Sequence, residues 1–231
     1  MLIELSDKRI VMDINLQGKN ALVCGSSQGI GKACAIELAN LGASVTLFSR
    51  NKNALNSVLT ELNTEQGQHH QVLVADFSQP EQVRSVINEH LIDHAPYEIL
   101  INNTGGPTPG LANTSDSSAF IDAFNLHLVS NHHLVQALLN GMKEKQYGRI
   151  INVISTSVKQ PIPGLGVSNT IRGAVASWAK TLANELGEFG ITVNNVLPGA
   201  TDTVRLKSII ENKASKTGGD VDTIKQGMAD Q

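Results

Sequence analysis

A disulfide framework is excluded first. The 231 residues hold two cysteines; Cys24 ends an apolar run and Cys34 falls inside the helical pattern that follows. No long basic run is present, and the net charge is −3. That balance argues against nucleic acid and anionic membranes as partners. No apolar stretch is long enough to span a bilayer. Met1 to Val11 carries Glu4, Asp7, Lys8 and Arg9, so it does not read as a secretory signal. The cytoplasm is the expected location. Internal repeats and low-complexity segments are also missing.

What remains is ordinary globular material, 41% hydrophobic and 17% charged, of a length that suits one domain. Its centre is Cys24-Gly25-Ser26-Ser27-Gln28-Gly29-Ile30-Gly31, set between the apolar run Ala21-Leu22-Val23 and a helical pattern from Ala33 to Leu41. Strand, glycine turn and helix in that order make an anion cradle. Gly25 permits the bend, Gly29 admits a close ligand, and Gly31 lets the helix pack on the sheet. The helix start aims unpaired N–H groups and a partial positive charge at the turn. A pyrophosphate is the expected occupant; a loop and helix without a ligand is the alternative.

The rest of the chain alternates. Strands are predicted at 20–24, 45–48, 72–74, 98–101, 149–154 and 191–197. Between them come helices at 30–41, 52–62, 80–90, 119–142 and 168–189. Such alternation implies a parallel sheet with helices on both faces, in a single α/β domain. Ligands in such sheets sit beyond the carboxyl ends of the strands. Gly25, Arg50, Asp76, Asn103, Ser155 and Pro198 all fall there. Residues 1–15 read as an N-terminal extension, with Met12 a possible alternative start. Residues 16–203 hold the alternating elements and read as the main domain. Residues 204–231 read as a short C-terminal lid of two helices joined at Gly218-Gly219.

The glycine turn, Asn103-Thr104-Gly105 and Pro198-Gly199 together resemble the short-chain dehydrogenase/reductase family, in particular its 3-oxoacyl-acyl-carrier-protein reductases. The resemblance runs from about Leu16 to Thr203; it implies a doubly wound parallel sheet of the Rossmann type, strand order 3-2-1-4-5-6, and makes residues 16–203 the expected dinucleotide-binding catalytic domain. It implies a nicotinamide dinucleotide held by Gly25, Ser27, Gln28, Gly29, Ile30 and Gly31 at the phosphates. Asp76 and Phe77 would lie beside the adenine, and Asn103 and Gly105 under the adenosine ribose. Pro198, Gly199 and Thr203 would line the nicotinamide side. Arg50 ends the second strand, where an acid would select NAD. An arginine there suits the 2′-phosphate of NADP, so NADP is favoured over NAD; a solvated surface charge is the other reading.

The family's catalytic set is Ser, Tyr and Lys, assisted by Asn. Ser155 matches the serine. Thirteen residues on, the tyrosine position holds Ser168, and four further the lysine position holds Arg172. The asparagine position falls at His127. A serine is a far poorer acid than a phenol, and an arginine gives up no proton. Tyr97 and Tyr147 precede strands four and five, at the far end of the sheet. His127 titrates near neutrality and is a candidate replacement acid, although a histidine on a long helix is more often simply packed. In the catalytic reading Ser155 orients the carbonyl, Arg172 holds the nicotinamide ribose, and His127 or a water on Ser168 supplies the proton.

The other histidines are expected to be surface or loop residues: His90 and His94, His69 and His70, His132 and His133. No metal is expected. The family's last strand has no counterpart after Asn195, which leaves strand six as an open edge. The resemblance implies a small-molecule or acyl-thioester substrate and a homo-oligomer, either dimer or tetramer. Two functions stand: an NADP-dependent carbonyl reductase with an atypical proton donor, or an inactive nucleotide-binding regulatory or scaffold subunit.

Overall fold

Six parallel strands are laid in the order β3-β2-β1-β4-β5-β6. They are β1 (Asn20–Cys24), β2 (Ser44–Ser49), β3 (Gln71–Val74), β4 (Ile99–Asn102), β5 (Gly148–Val153) and β6 (Ile191–Val196). The computed structural model describes residues 13–229. Most of the N-terminal extension, including Met12, therefore lies outside the described residues.

Alternation along the strands divides the core into two layers. Ala21, Val23, Val45, Leu47, Ile99 and Ile101 turn to one face. There α1 (Gly29–Asn40) and α2 (Lys52–Leu59) bury Ala35, Ala39, Leu55 and Val58 against them. Leu22, Phe48, Leu100 and Ile150 turn to the other face. That face is covered by α3 (Pro80–Asp93), α5 (Ser130–Glu144) and α6 (Gly166–Leu186), through Val83, Ile87, Leu134, Leu138 and Ala179. Near-continuous apolar strands are what a sheet covered on both faces requires. Caps set the element ends: Asn51 Oδ1 accepts from Ala54 N at 3.1 Å to start α2, and Pro80 opens α3 at a position that needs no N–H.

The helix expected over 119–142 is interrupted. It consists of α4 (Ser117–Phe124), a π turn (Asn125–Val129) and α5. The Ser130 N–H reaches back to the Asn125 carbonyl, one residue further than an α-helix does. The apolar spacing runs on through the turn, so the pattern alone gives no sign of the wider winding.

The C-terminal segment forms α7 (Val204–Thr217) and α8 (Val221–Ala229), with Gly218 left-handed between them. Among the described residues no strand pairs with the outer edge of β6. No helix there is long and apolar enough to cross a membrane.

Candidate functional site

The carboxyl ends of β1, β2, β3 and β4 surround a cavity of about 510 Å³. The glycine turn forms its floor. Gly25 has φ +60°, and a Cβ on it would stand 2.4 Å from the Asn103 carbonyl oxygen. A Cβ on Gly31 would stand 2.4 Å from the Gly25 oxygen. Both positions therefore exclude any side chain, which lets the turn and the start of α1 close up. Asn103 locks the arrangement, its Nδ2 donating to the carbonyls of Cys24 at 3.3 Å and Gly25 at 3.4 Å. Ser26, fully buried, accepts from Phe48 N at 2.9 Å and ties the turn to β2. Gln28 precedes α1 without a side-chain cap, so the first-turn N–H groups of α1 remain for a ligand.

Ser27, Gln28, Gly29 and Ile30 line this phosphate end. Arg50 and Asn51 line the far end with Asp76 and Phe77. Asp76 accepts from Ser78 N at 2.9 Å and from Ser78 Oγ at 2.8 Å. Those bonds, led by the backbone one and helped by the positive charge of Arg50, hold its carboxyl below the usual range against some burial. Asn103, Thr104, Gly105 and Leu126 form the wall beneath β4, and Thr203, which starts α7, closes over Gly29. Cys24 is wholly buried behind the turn, and burial pushes its thiol up and leaves it inert.

The residues expected to carry the chemistry lie to one side, and none of them lines this cavity. Ser155 ends β5 and accepts from Ser157 N at 3.1 Å. Its neighbour Thr156 donates its N–H to the Pro198 carbonyl at 3.3 Å, which brings the loops after β5 and β6 together beside Gly199. Ser168 and Arg172 share one face of α6 a turn apart. Arg172 is buried, and its Nη1 donates to the Val153 carbonyl at 2.9 Å. His127 sits on the π turn with 1% exposure. Its Nδ1 lies 2.7 Å from Thr104 Oγ1. The ring is thus shut off from solvent and reaches the cavity wall at Thr104.

Two features escaped the sequence reading. Thr104 was visible only as part of a motif, and its contact with His127 joins residues far apart in the chain. The second is an amide ladder running from the core to the half-buried Asn195: Asn102 Nδ2 donates to Asn152 Oδ1 at 2.9 Å, and Asn152 Nδ2 to Asn195 Oδ1 at 3.1 Å. Registered strands put the three asparagines side by side.

The histidine expectations need correction. His90 is buried rather than superficial, its Nε2 2.6 Å from the Tyr97 hydroxyl. His132 and His133 are half-buried. Among the described residues no cluster of His, Cys, Asp and Glu could hold a metal.

Strand order and cradle together define the doubly wound, dinucleotide-binding class of fold. The sequence profile described as short chain dehydrogenase matches residues 19–214, and the chain belongs to that family. A 3-oxoacyl-acyl-carrier-protein reductase of Pseudomonas aeruginosa is 32% identical over 221 residues, covering 94% of this chain and 88% of the relative. The L-sorbose reductase of Gluconobacter frateurii, solved with NADPH and L-sorbose, superposes with a TM-score of 0.86 at 28% identity. That match covers 95% of this chain and 83% of the reductase. An NAD+-bound xylitol dehydrogenase gives 0.83 at 26% identity, over 92% of this chain and 84% of the other.

Proposed function

We propose that this chain is an NADP(H)-dependent oxidoreductase that reduces the carbonyl of a small molecule or acyl thioester, using a proton donor other than tyrosine. The observation that carries the reading is Arg50 at the adenosine end of the cavity, where Phe48-Ser49-Arg50-Asn51 offers no carboxylate to a free 2′-hydroxyl. A guanidinium suits a 2′-phosphate through charge-assisted bonds. The cradle fits the rest of the coenzyme: glycines that a Cβ would fill, and helix N–H groups for the pyrophosphate. Bound there, the coenzyme supplies the hydride. Among the similar structures the Gluconobacter frateurii enzyme was solved with NADPH and the xylitol dehydrogenase with NAD+, so the preference rests on Arg50.

The reacting side is assigned to Ser155, Ser168, Arg172 and His127. Ser155 orients the carbonyl oxygen, and Arg172 holds its cation one turn from Ser168. The proton comes from a water on Ser168 or from His127 by way of Thr104. No group here donates directly as a phenol would, so turnover is expected to be slow. Fluorescence titration with NADPH and NADH tests the cradle. NADPH consumption over a panel of ketones, sugars and acetoacetyl thioesters tests the chemistry.

A second reading, a non-catalytic nucleotide-binding subunit, is favoured by one observation. Arg172 points its head at a backbone carbonyl, and His127 is sealed from solvent. Tight NADPH binding with no consumption of any panel member would establish it.

A further inference from the structure

Two segments leave the carboxyl ends of β4 and β5: residues 103–116, which lead to α4, and residues 154–165, which lead to α6. A short strap ties them together. Gly110 N donates to the Gly164 carbonyl at 2.7 Å, and Gly166 N donates to the Gly110 carbonyl at 2.9 Å. The crossing is an isolated parallel bridge between Gly110 and Leu165. Gly166 is the first residue of α6, and a Cβ on it would stand 2.3 Å from Ala112 N and 2.6 Å from Ala112 Cα. Those are backbone atoms, so only glycine lets the two segments meet there. Asn169 of α6 holds the second segment in turn, its Nδ2 donating to the Ile162 carbonyl at 2.9 Å.

The strap stands just past the cavity. Gly105 and Gly106 line the cavity wall, whereas Gly110, Ala112, Gly164, Leu165 and Gly166 do not. Pro107-Thr108-Pro109 joins the wall to the strap. Proline fixes φ, so this spacer passes a displacement on instead of absorbing it. With the strap closed, Gly105 and Gly106 are held in place before a ligand arrives. With it open, the wall is part of a longer free loop, and a ligand that needs the wall must order it. Fixing the backbone of one residue costs about a factor of ten in affinity. On its other side the strap starts α6, two residues before Ser168 and six before Arg172.

We propose that Gly110 and Gly166 are positioning residues of the dinucleotide site. Their strap orders the Gly105–Gly106 wall in advance, and by linkage a bound dinucleotide tightens the strap and the start of α6. The inference rests on the dinucleotide reading given above and adds to it residues that lie outside the cavity.

Two variants open the strap by different routes. Gly110→Pro removes the N–H that bonds Gly164. Gly166→Ala sets a methyl group against the Ala112 backbone. Gly110→Ala is the conservative control, since its Cβ would meet nothing closer than Ser115 Oγ at 3.4 Å and both bonds remain. Amide hydrogen exchange of the full chain, read by NMR with and without NADPH, is paired with fluorescence titration by NADPH and NADH. Amides of a surface strap exchange by local opening, which a ligand slows only if it is coupled to that opening. In wild type, NADPH is expected to slow the Gly110 and Gly166 amides about tenfold. Gly110→Pro and Gly166→Ala should bind both dinucleotides about tenfold more weakly, and Gly110→Ala should match wild type. Wild-type exchange at Gly110 and Gly166 unchanged by bound NADPH, or wild-type affinity in Gly110→Pro, overturns this inference and leaves the dinucleotide reading standing. No binding of either dinucleotide by folded wild type overturns both. Should either strap variant fail to fold, the wild-type exchange decides alone.

Discussion

The Tyr97 hydroxyl stands between His90 Nε2, at 2.6 Å, and Thr46 Oγ1, at 2.7 Å, at the end of the sheet opposite the cavity. All three side chains are buried. Burial pushes the Tyr97 phenol up to about 12, opposed in part by Thr46, so it stays neutral and serves as a fixed bridge. Replacing Tyr97 by Phe would leave two buried polar partners unsatisfied. A loss of about 1–3 kcal/mol in urea unfolding is expected.

The same bridge sets a pH dependence. Burial, and secondarily the nearby charge of His94, holds the His90 ring below its ordinary value. The unfolded chain therefore binds a proton near the usual histidine value while the folded chain resists it. Stability from this group is full above about pH 6.5 and declines as pH falls from there towards the lowered folded value. Urea midpoints should drop between about pH 7 and pH 5. His90→Gln should flatten that slope; an unchanged slope would remove His90 as its source.

Coenzyme choice depends on Arg50, which lies in the cavity beside Asp76. Losing charge-assisted bonds worth about 1.5–3 kcal/mol corresponds to roughly a tenfold to hundredfold weaker binding. Arg50→Gln should weaken NADPH by that factor and move NADH by less than about threefold, read by fluorescence titration. Equal weakening of both dinucleotides would count against 2′-phosphate recognition.

A methyl group at Gly31 would meet the Gly25 oxygen at 2.4 Å and the Asn103 side-chain amide at 2.7 Å, and a backbone carbonyl cannot swing aside as the end of a flexible side chain can. Gly31→Ala is expected to cost more than the about 1–3 kcal/mol of ordinary overpacking and to abolish dinucleotide binding. Thermal unfolding and the NADPH titration together check it. Near-wild-type behaviour in both would mean that the turn and α1 are not closed up as described.

Removing the carbonyl partner of Arg172 is impossible by substitution, but shortening its reach is not. Arg172→Lys keeps the cation and loses the planar fork that reaches the Val153 carbonyl at 2.9 Å. A stability loss of about 1–2 kcal/mol is expected for the lost bond. If Arg172 also serves the coenzyme ribose, NADPH affinity falls as well; if it is only structural, affinity holds.

By itself the sequence determined a parallel sheet covered on both faces and the cradle; the strand order came with the family resemblance. Apolar runs such as Ala21-Leu22-Val23 and Ile99-Leu100-Ile101, split by helical spacing, leave little freedom when every strand is covered on both faces. The glycines of the turn are equally readable, because a close backbone approach requires them. Helix ends shifted by a few residues, as at α2, where the last turn depends on neighbours rather than on propensity.

Only the tertiary structure decided where the residues at the expected catalytic positions lie. His127 reads as a helix residue with an ordinary titration range. Whether it faced solvent, cavity or core turned on a π turn that apolar spacing does not register. Thr104 and His127, Asn102 and Asn152, His90 and Tyr97 were brought within bonding distance by sheet register and helix packing. Local pattern fixes where a side chain leaves the backbone; the buried partner that sets its chemistry comes from another part of the chain.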